Sequence, residues 1–417
     1  MLTRAIAASM AAALTLALAP PFAPAAHADL LDKSVKQMLR DLRDAGDQTH
    51  GDGVKVALLA DGVADVLAKG AHVAPEKDFV RLPDPKREMG TLMASLMVGG
   101  EGEVADAGDM TIRGLIRDAE LLPVRVQPDD GKSRASRRWM MSGANTDNAV
   151  ADGLRYAVDH GARVIAVTNA WMYTGSRTYA AIAYAQSKDA LVISSVGIRK
   201  PTVPDAFAAT PGVLGVGAVD KDGDRYAKYT QASSALMVSA YGDKMPGVGS
   251  DGSANWMFWG EGPALAFVAS AAVMIRAAFP RLTAAQVTQA ITSSARNPKG
   301  HYTTDLGFGY LSATGALSKA ATLAKRPALP ETAGETVGDK AHFVAKPPGG
   351  VRAVPITLPW FGGFGALIGL GVIAIGAAIW LLARRRPALA MEPALPAAPP
   401  LEGPAPAPPS AVPPAEV

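Results

Sequence analysis

The sequence predicts an α/β domain of three layers, a mostly parallel sheet between helices, followed by one C-terminal transmembrane helix. Three observations predict it. Short β-branched and apolar runs recur at residues 54–59, 121–126, 164–168, 191–195 and 213–219, the pattern of strands covered on both faces. Segments with apolar residues at helical spacing fall between them, so strand and helix alternate. Residues 358–383 are apolar and uncharged, long enough at about 1.5 Å per residue to cross ~30 Å of hydrocarbon.

Taken in order, residues 30–46 alternate apolar and charged side chains at helical spacing and end in glycine. The run 54–59 then enters a tight turn at Ala60-Asp61-Gly62. Residues 90–98 read as a helix and 121–126 as a strand. The stretch 145–160 carries Ala149, Val150, Leu154, Ala157 and Val158 near a 3.6 period, and Gly161 stands where a C-terminal glycine cap belongs. Strands at 164–168 and 191–195 flank a helix at 179–187, and further strands follow at 213–219 and 236–240. From Trp259 to Pro280 a glycine turn opens a run whose only ionised side chain after Glu261 is Arg276. It is too short and alanine-rich for a good membrane span and reads as a central core helix. An amphipathic helix at 283–295 follows.

The 417 residues suffice for one large domain or two medium ones. The formal charge of +3 and the lack of a long basic block give no nucleic-acid footprint. Without cysteine there are no disulfides and no thiolate metal sites. No cofactor or metal motif is read.

Residues 1–28 have Arg4, an apolar run through Leu18, and Ala26-His27-Ala28, the order of a secretory signal. Residues 29–325 form the main domain. Proline, glycine and charge without period make residues 326–357 a stalk. Arg384-Arg385-Arg386 after the apolar helix places residues 384–417, a proline- and alanine-rich tail, in the cytoplasm, and the main domain on the other side of the cell membrane.

Several segments resemble the subtilisin-like serine proteases (peptidase S8 family) over roughly residues 45–320. Residues 148–165 (N-A-V-A-D-G-L-R-Y-A-V-D-H-G-A-R-V-I) are similar to that family's surface helix and following strand. Residues 205–220 resemble its P-A-x-x-P-x-V-I-x-V-G-A stretch, and residues 307–311 its closing G-x-G segment. Signal, domain, stalk, membrane helix and short tail together resemble the mycosins, the membrane-anchored subtilases of type VII secretion. The resemblance implies the subtilisin-like three-layer fold, serine-type endopeptidase ancestry and a type VII secretion membrane complex as partner.

Subtilase chemistry needs a serine nucleophile, a histidine base, an aspartate that orients it, and an asparagine donor to the oxyanion. Against V-A-V-I-D-T-G-V the chain reads V-A-L-L-A-D-G-V, so Ala60 holds the aspartate's place. Asp61 comes one residue later; on a strand that shift turns the side chain to the opposite face unless the turn bends it back. Against H-G-T-x-x-A the chain has Met89 in the histidine's place. Against A-A-G-N it has Ile198, which has no amide to donate. Against G-T-S-M-A-A-P it reads Gly260-Glu261-Gly262-Pro263, with Gly262 where the nucleophile belongs.

His72 is the nearest candidate for a substitute base, and Asp61 for a substitute acid. The leading expectation is therefore a catalytically inactive homologue acting as a structural or peptide-binding component. An extended peptide would pair with exposed strand edges, with residues 169–173 near one such edge. The alternatives are an active serine-type endopeptidase with a rearranged site, and an unrelated extracytoplasmic binding domain.

Overall fold

In a strand buried on both faces, alternate side chains feed two separate cores, and Lys55–Ala60 (β1) does this plainly. Val56, Leu58 and Ala60 join one apolar cluster, while Ala57 and Leu59 join another. The structure, a computed structural model, describes residues 31–67, 71–99, 114–129, 133–168, 174–197, 206–254, 256–325 and 358–384. The signal, the stalk, residues 169–173 and Ile198 lie outside the described residues, as does the tail after Arg384.

The helix Lys33–Gln48 (α1) precedes β1, and Asp32 caps it by accepting from the Ser34 N–H. After β1 come a short edge strand Lys77–Asp78 (β2), the helix Glu88–Val98 (α2) and the strand Glu120–Arg125 (β3). Two helices, Arg134–Met140 (α3) and Gly143–Asp159 (α4), lead to Val164–Val167 (β4). Ser176–Ser187 (α5), Leu191–Ser195 (β5), Val213–Val219 (β6) and Val238–Tyr241 (β7) follow. A small antiparallel pair, Met245–Gly247 (β8) with Trp256–Phe258 (β9), delivers the chain to Glu261–Ala278 (α6). Ala284–Ser294 (α7) and Ala313–Ala324 (α8) complete the domain.

The seven-stranded sheet has the order β2-β3-β1-β4-β5-β6-β7 with every pair parallel. Together with the helices on its two faces it is the expected α/β, subtilisin-like three-layer fold. α4 and α5 supply one cluster; α1, α2, α6, α7 and α8 supply the other. α6 is buried from Gly262 through Arg276, which is why it lacks an amphipathic period. Its length and composition would suit a membrane, yet 83% of it lies inside the domain. Burying a side chain the size of Phe267, 1% exposed, is worth about 1.5–3 kcal/mol.

Sequence reasoning missed β2, α3, α8 and the β8–β9 pair. β2, β8 and β9 are too short for a period. α3 has no buried residue and so no apolar stripe; its signal was Ser133, whose hydroxyl accepts from the Ser136 N–H at 2.9 Å. The chain divides into two units, Met1–Leu329 and Pro330–Val417. In the second, Leu358–Arg384 (α9) is a 27-residue helix whose only charged residue is Arg384, with residues 365–381 exposed.

Candidate active-site cleft

Strand order reverses at β1: β3 lies on one side and β4 on the other. In an open parallel sheet the crevice beyond the carboxyl ends of the strands at such a point is the favoured site. A cavity of about 270 Å³ lies there. Asp61 follows β1, Gln127 and Asp129 follow β3, Thr168 follows β4, and Ser195 ends β5. Gly260, Glu261 and Gly262 bring the start of α6 into the same cavity, and Met89 brings the start of α2.

Asp61 reaches the cleft against the strand rule. Alternation from Ala60 would carry it to the other face of the sheet. Its carboxyl contacts instead lie at the start of α2, which packs on the face Ala60 occupies, and the chain turns after it at Gly62, with φ +107°. Its Oδ2 accepts from the Met89 N–H at 3.0 Å and its Oδ1 from the Gly90 N–H at 2.7 Å. Arg87, the residue before α2, gives no side-chain cap, so Asp61 caps that helix from outside. The close approach requires glycine: a Cβ on Gly90 would stand 2.0 Å from the Gly62 carbonyl oxygen. Asp61 is 2% exposed. Burial pushes its carboxyl up to about 7, against the pull of the two amide hydrogen bonds, with a smaller upward contribution from Asp129.

Met89 and Gly262 face each other. A Cβ built on Gly262 would lie 2.7 Å from the Met89 sulfur. Neither a thioether nor a glycine hydrogen can take up or deliver a proton near neutrality. Beside them, both carboxylate oxygens of Glu261 accept from the Gly197 N–H at 3.0 Å, and its Oε1 also accepts from the Thr230 hydroxyl at 3.1 Å. Glu261 sits in the first turn of α6, where the helix dipole favours a negative charge.

Ion pairs hold the rim. Glu76 binds the Arg87 guanidinium at 2.9–3.1 Å and accepts from the Val63 N–H. Buried Arg125 pairs with Asp78 at 3.0 Å and Asp129 at 3.7 Å. Aromatic walls rise above: Trp139 from α3, and Trp259, whose indole N–H donates to the Tyr229 hydroxyl.

Asp61, Met89 and Gly262 thus meet in one cleft, while Ala60, the residue before Asp61, is fully buried and does not line it. His72 does not join them. Its carbonyl accepts from the Leu121 N–H, and Leu121 pairs with Val56, four residues before Ala60. At ~3.3 Å per residue His72 stands about 13 Å away, at the amino end of the sheet, so its candidacy as a substitute base is corrected. None of the other described histidines, His50, His160 and His301, lines the cavity. Sequence reasoning missed Glu261, Asp129, Trp139 and Trp259; their signal was the charge and aromatics flanking the motif turns.

A family model, the subtilase family, matches residues 51–311. Mycosin-4 of Mycobacterium tuberculosis is 27% identical over 317 residues, which cover 67% of this chain and 68% of the relative. Among solved structures, the serine protease MycP1, an essential component of the type VII (ESX-1) secretion system, superposes with a TM-score of 0.56 at 23% identity, covering 70% of this chain and 90% of that one. A chain of the periplasmic assembly from the ESX-5 inner membrane complex gives 0.54 at 23% identity, covering 76% and 90%. These structural likenesses carry the fold. The family model over residues 51–311 overturns the expectation of an unrelated binding domain.

Proposed function

This chain belongs to the subtilase family, and from that premise we propose that it is a catalytically inactive, mycosin-like component of a type VII secretion membrane assembly. Residues 29–325 face outward, α9 anchors them to the membrane, and the arginines at 384–386 mark the cytoplasmic side. The cleft then serves as a structural or peptide-binding surface.

One observation carries this reading: the Met89 thioether lies against Gly262, where a base and a nucleophile would have to exchange a proton. Glu261 adds to it. Acyl transfer develops negative charge on the carbonyl oxygen, and a useful site aims donors at it. Here a carboxylate draws on the Gly197 N–H and sets a negative charge beside that place. Asp61 is held by amide hydrogens and has no imidazole to orient.

The test uses the full chain isolated in mild detergent from native membranes. A fluorophosphonate probe leaves it unlabelled, while other type VII membrane components co-isolate with it. Stoichiometric labelling would sink the inactive reading, and isolation without any such component would sink the proposed link to secretion.

A further inference from the structure

The cleft is acidic and carries aromatic side chains. Asp61, Asp129 and Glu261 line it, and among the described lining residues there is no lysine, arginine or histidine. Gln127 adds an independent observation: its Oε1 is buried and accepts no hydrogen bond. A buried acceptor without a donor costs about 1–3 kcal/mol, so such atoms call for a partner. Trp139 and Trp259 contribute rings able to hold a cation over an aromatic face. At about 270 Å³ the cavity is just below drug-ligand size and suits one long side chain.

From this we infer that the cleft binds a cationic side chain, the ammonium of lysine or the guanidinium of arginine, presented by an extended peptide. The inference rests on reading the cleft as a binding surface. The physical logic is an inversion. A site for acyl transfer offers donors to a developing anion. This one offers Glu261, Asp129, which it shares with Arg125, and an unsatisfied acceptor, whose complement is a group that brings N–H donors and positive charge. The methylene stem of lysine or arginine would lie along Met89 and Leu265, both in the lining.

The experiment titrates the full chain in detergent with short blocked alanine peptides that carry lysine, arginine, norleucine or glutamate at one central position. Tryptophan fluorescence and calorimetry read the binding. The lysine and arginine peptides bind about tenfold more tightly than the norleucine peptide, and the glutamate peptide most weakly. The preference shrinks between about 50 mM and about 500 mM salt. Glu261→Gln and Asp129→Asn each bring the lysine-to-norleucine ratio toward one. If a variant fails to fold, the salt titration of the unaltered chain decides. Equal binding of lysine and norleucine peptides, or no binding of any peptide, overturns the inference. Fluorophosphonate labelling of the same preparation would instead fail the inactive reading, whatever the side-chain preference.

Discussion

The two ends of α6 handle charge in opposite ways. At its carboxyl end, Arg276 is almost wholly buried and tied to fixed partners. Its Nη1 donates to the Asp189 carboxylate at 3.0 Å and to the Leu282 carbonyl; its Nη2 donates to the Asp189 carbonyl at 2.7 Å. Asp189 in turn accepts from the Ala284 N–H at the start of α7 and pairs with Arg163 at 2.8 Å. At its amino end, Glu261 has protein partners and also faces a cavity. One helix therefore carries a structural lock at one end and lines a cavity at the other.

The largest effect is expected at the locked end. Arg276→Ala strips Asp189 of its main cation and frees the α6–α7 junction, costing about 3–5 kcal/mol as read from the denaturant midpoint. A loss below about 1 kcal/mol would mean that this end is no lock.

The cleft end is tested by pH. The Asp61 carboxyl titrates near 7 in the fold and 3.8 when unperturbed. The folded state thus holds its proton more tightly than the unfolded state. The stability it contributes is full below pH 3.8 and is lost as pH rises through about 7. Over that window the chain loses roughly 4 kcal/mol, and Asp61→Asn flattens the slope. An unchanged slope in the variant would assign the titration to another group.

The smallest effect sharpens the contrast. Gly262→Ala pushes a methyl toward the Met89 sulfur, the far end of a flexible side chain, and should cost less than about 1 kcal/mol by thermal unfolding. A loss as large as that of Arg276→Ala would make the cleft end as rigid as the lock.

Much of this architecture was legible along the chain. The strands from 54–59 to 213–219 and the helices between them lie within a few residues of their expected bounds, because burial on two faces or one stripe leaves its mark in local periodicity. Of the site, the resemblance offered Ala60, Met89, Ile198 and Gly262 as the expected departures from a family pattern, and the structure brings Met89 and Gly262 into the cleft. Their surroundings were not legible. Asp61 lay open to two readings, and its contacts with the Met89 and Gly90 N–H groups decide between them. His72 looked near in sequence and stands at the far end of the sheet.

By itself, then, the sequence determined the alternation of strands and helices and the burial of α6. Only the tertiary structure decided that Asp61 caps α2 across 28–29 residues, that Glu261 binds Gly197 across 64, and that α3 brings Trp139 over the cleft. Periodicity records how each residue is buried within its own element. Contacts between the carboxyl ends of strands and the amino ends of helices depend on how the sheet orders its strands, and no local pattern encodes that order.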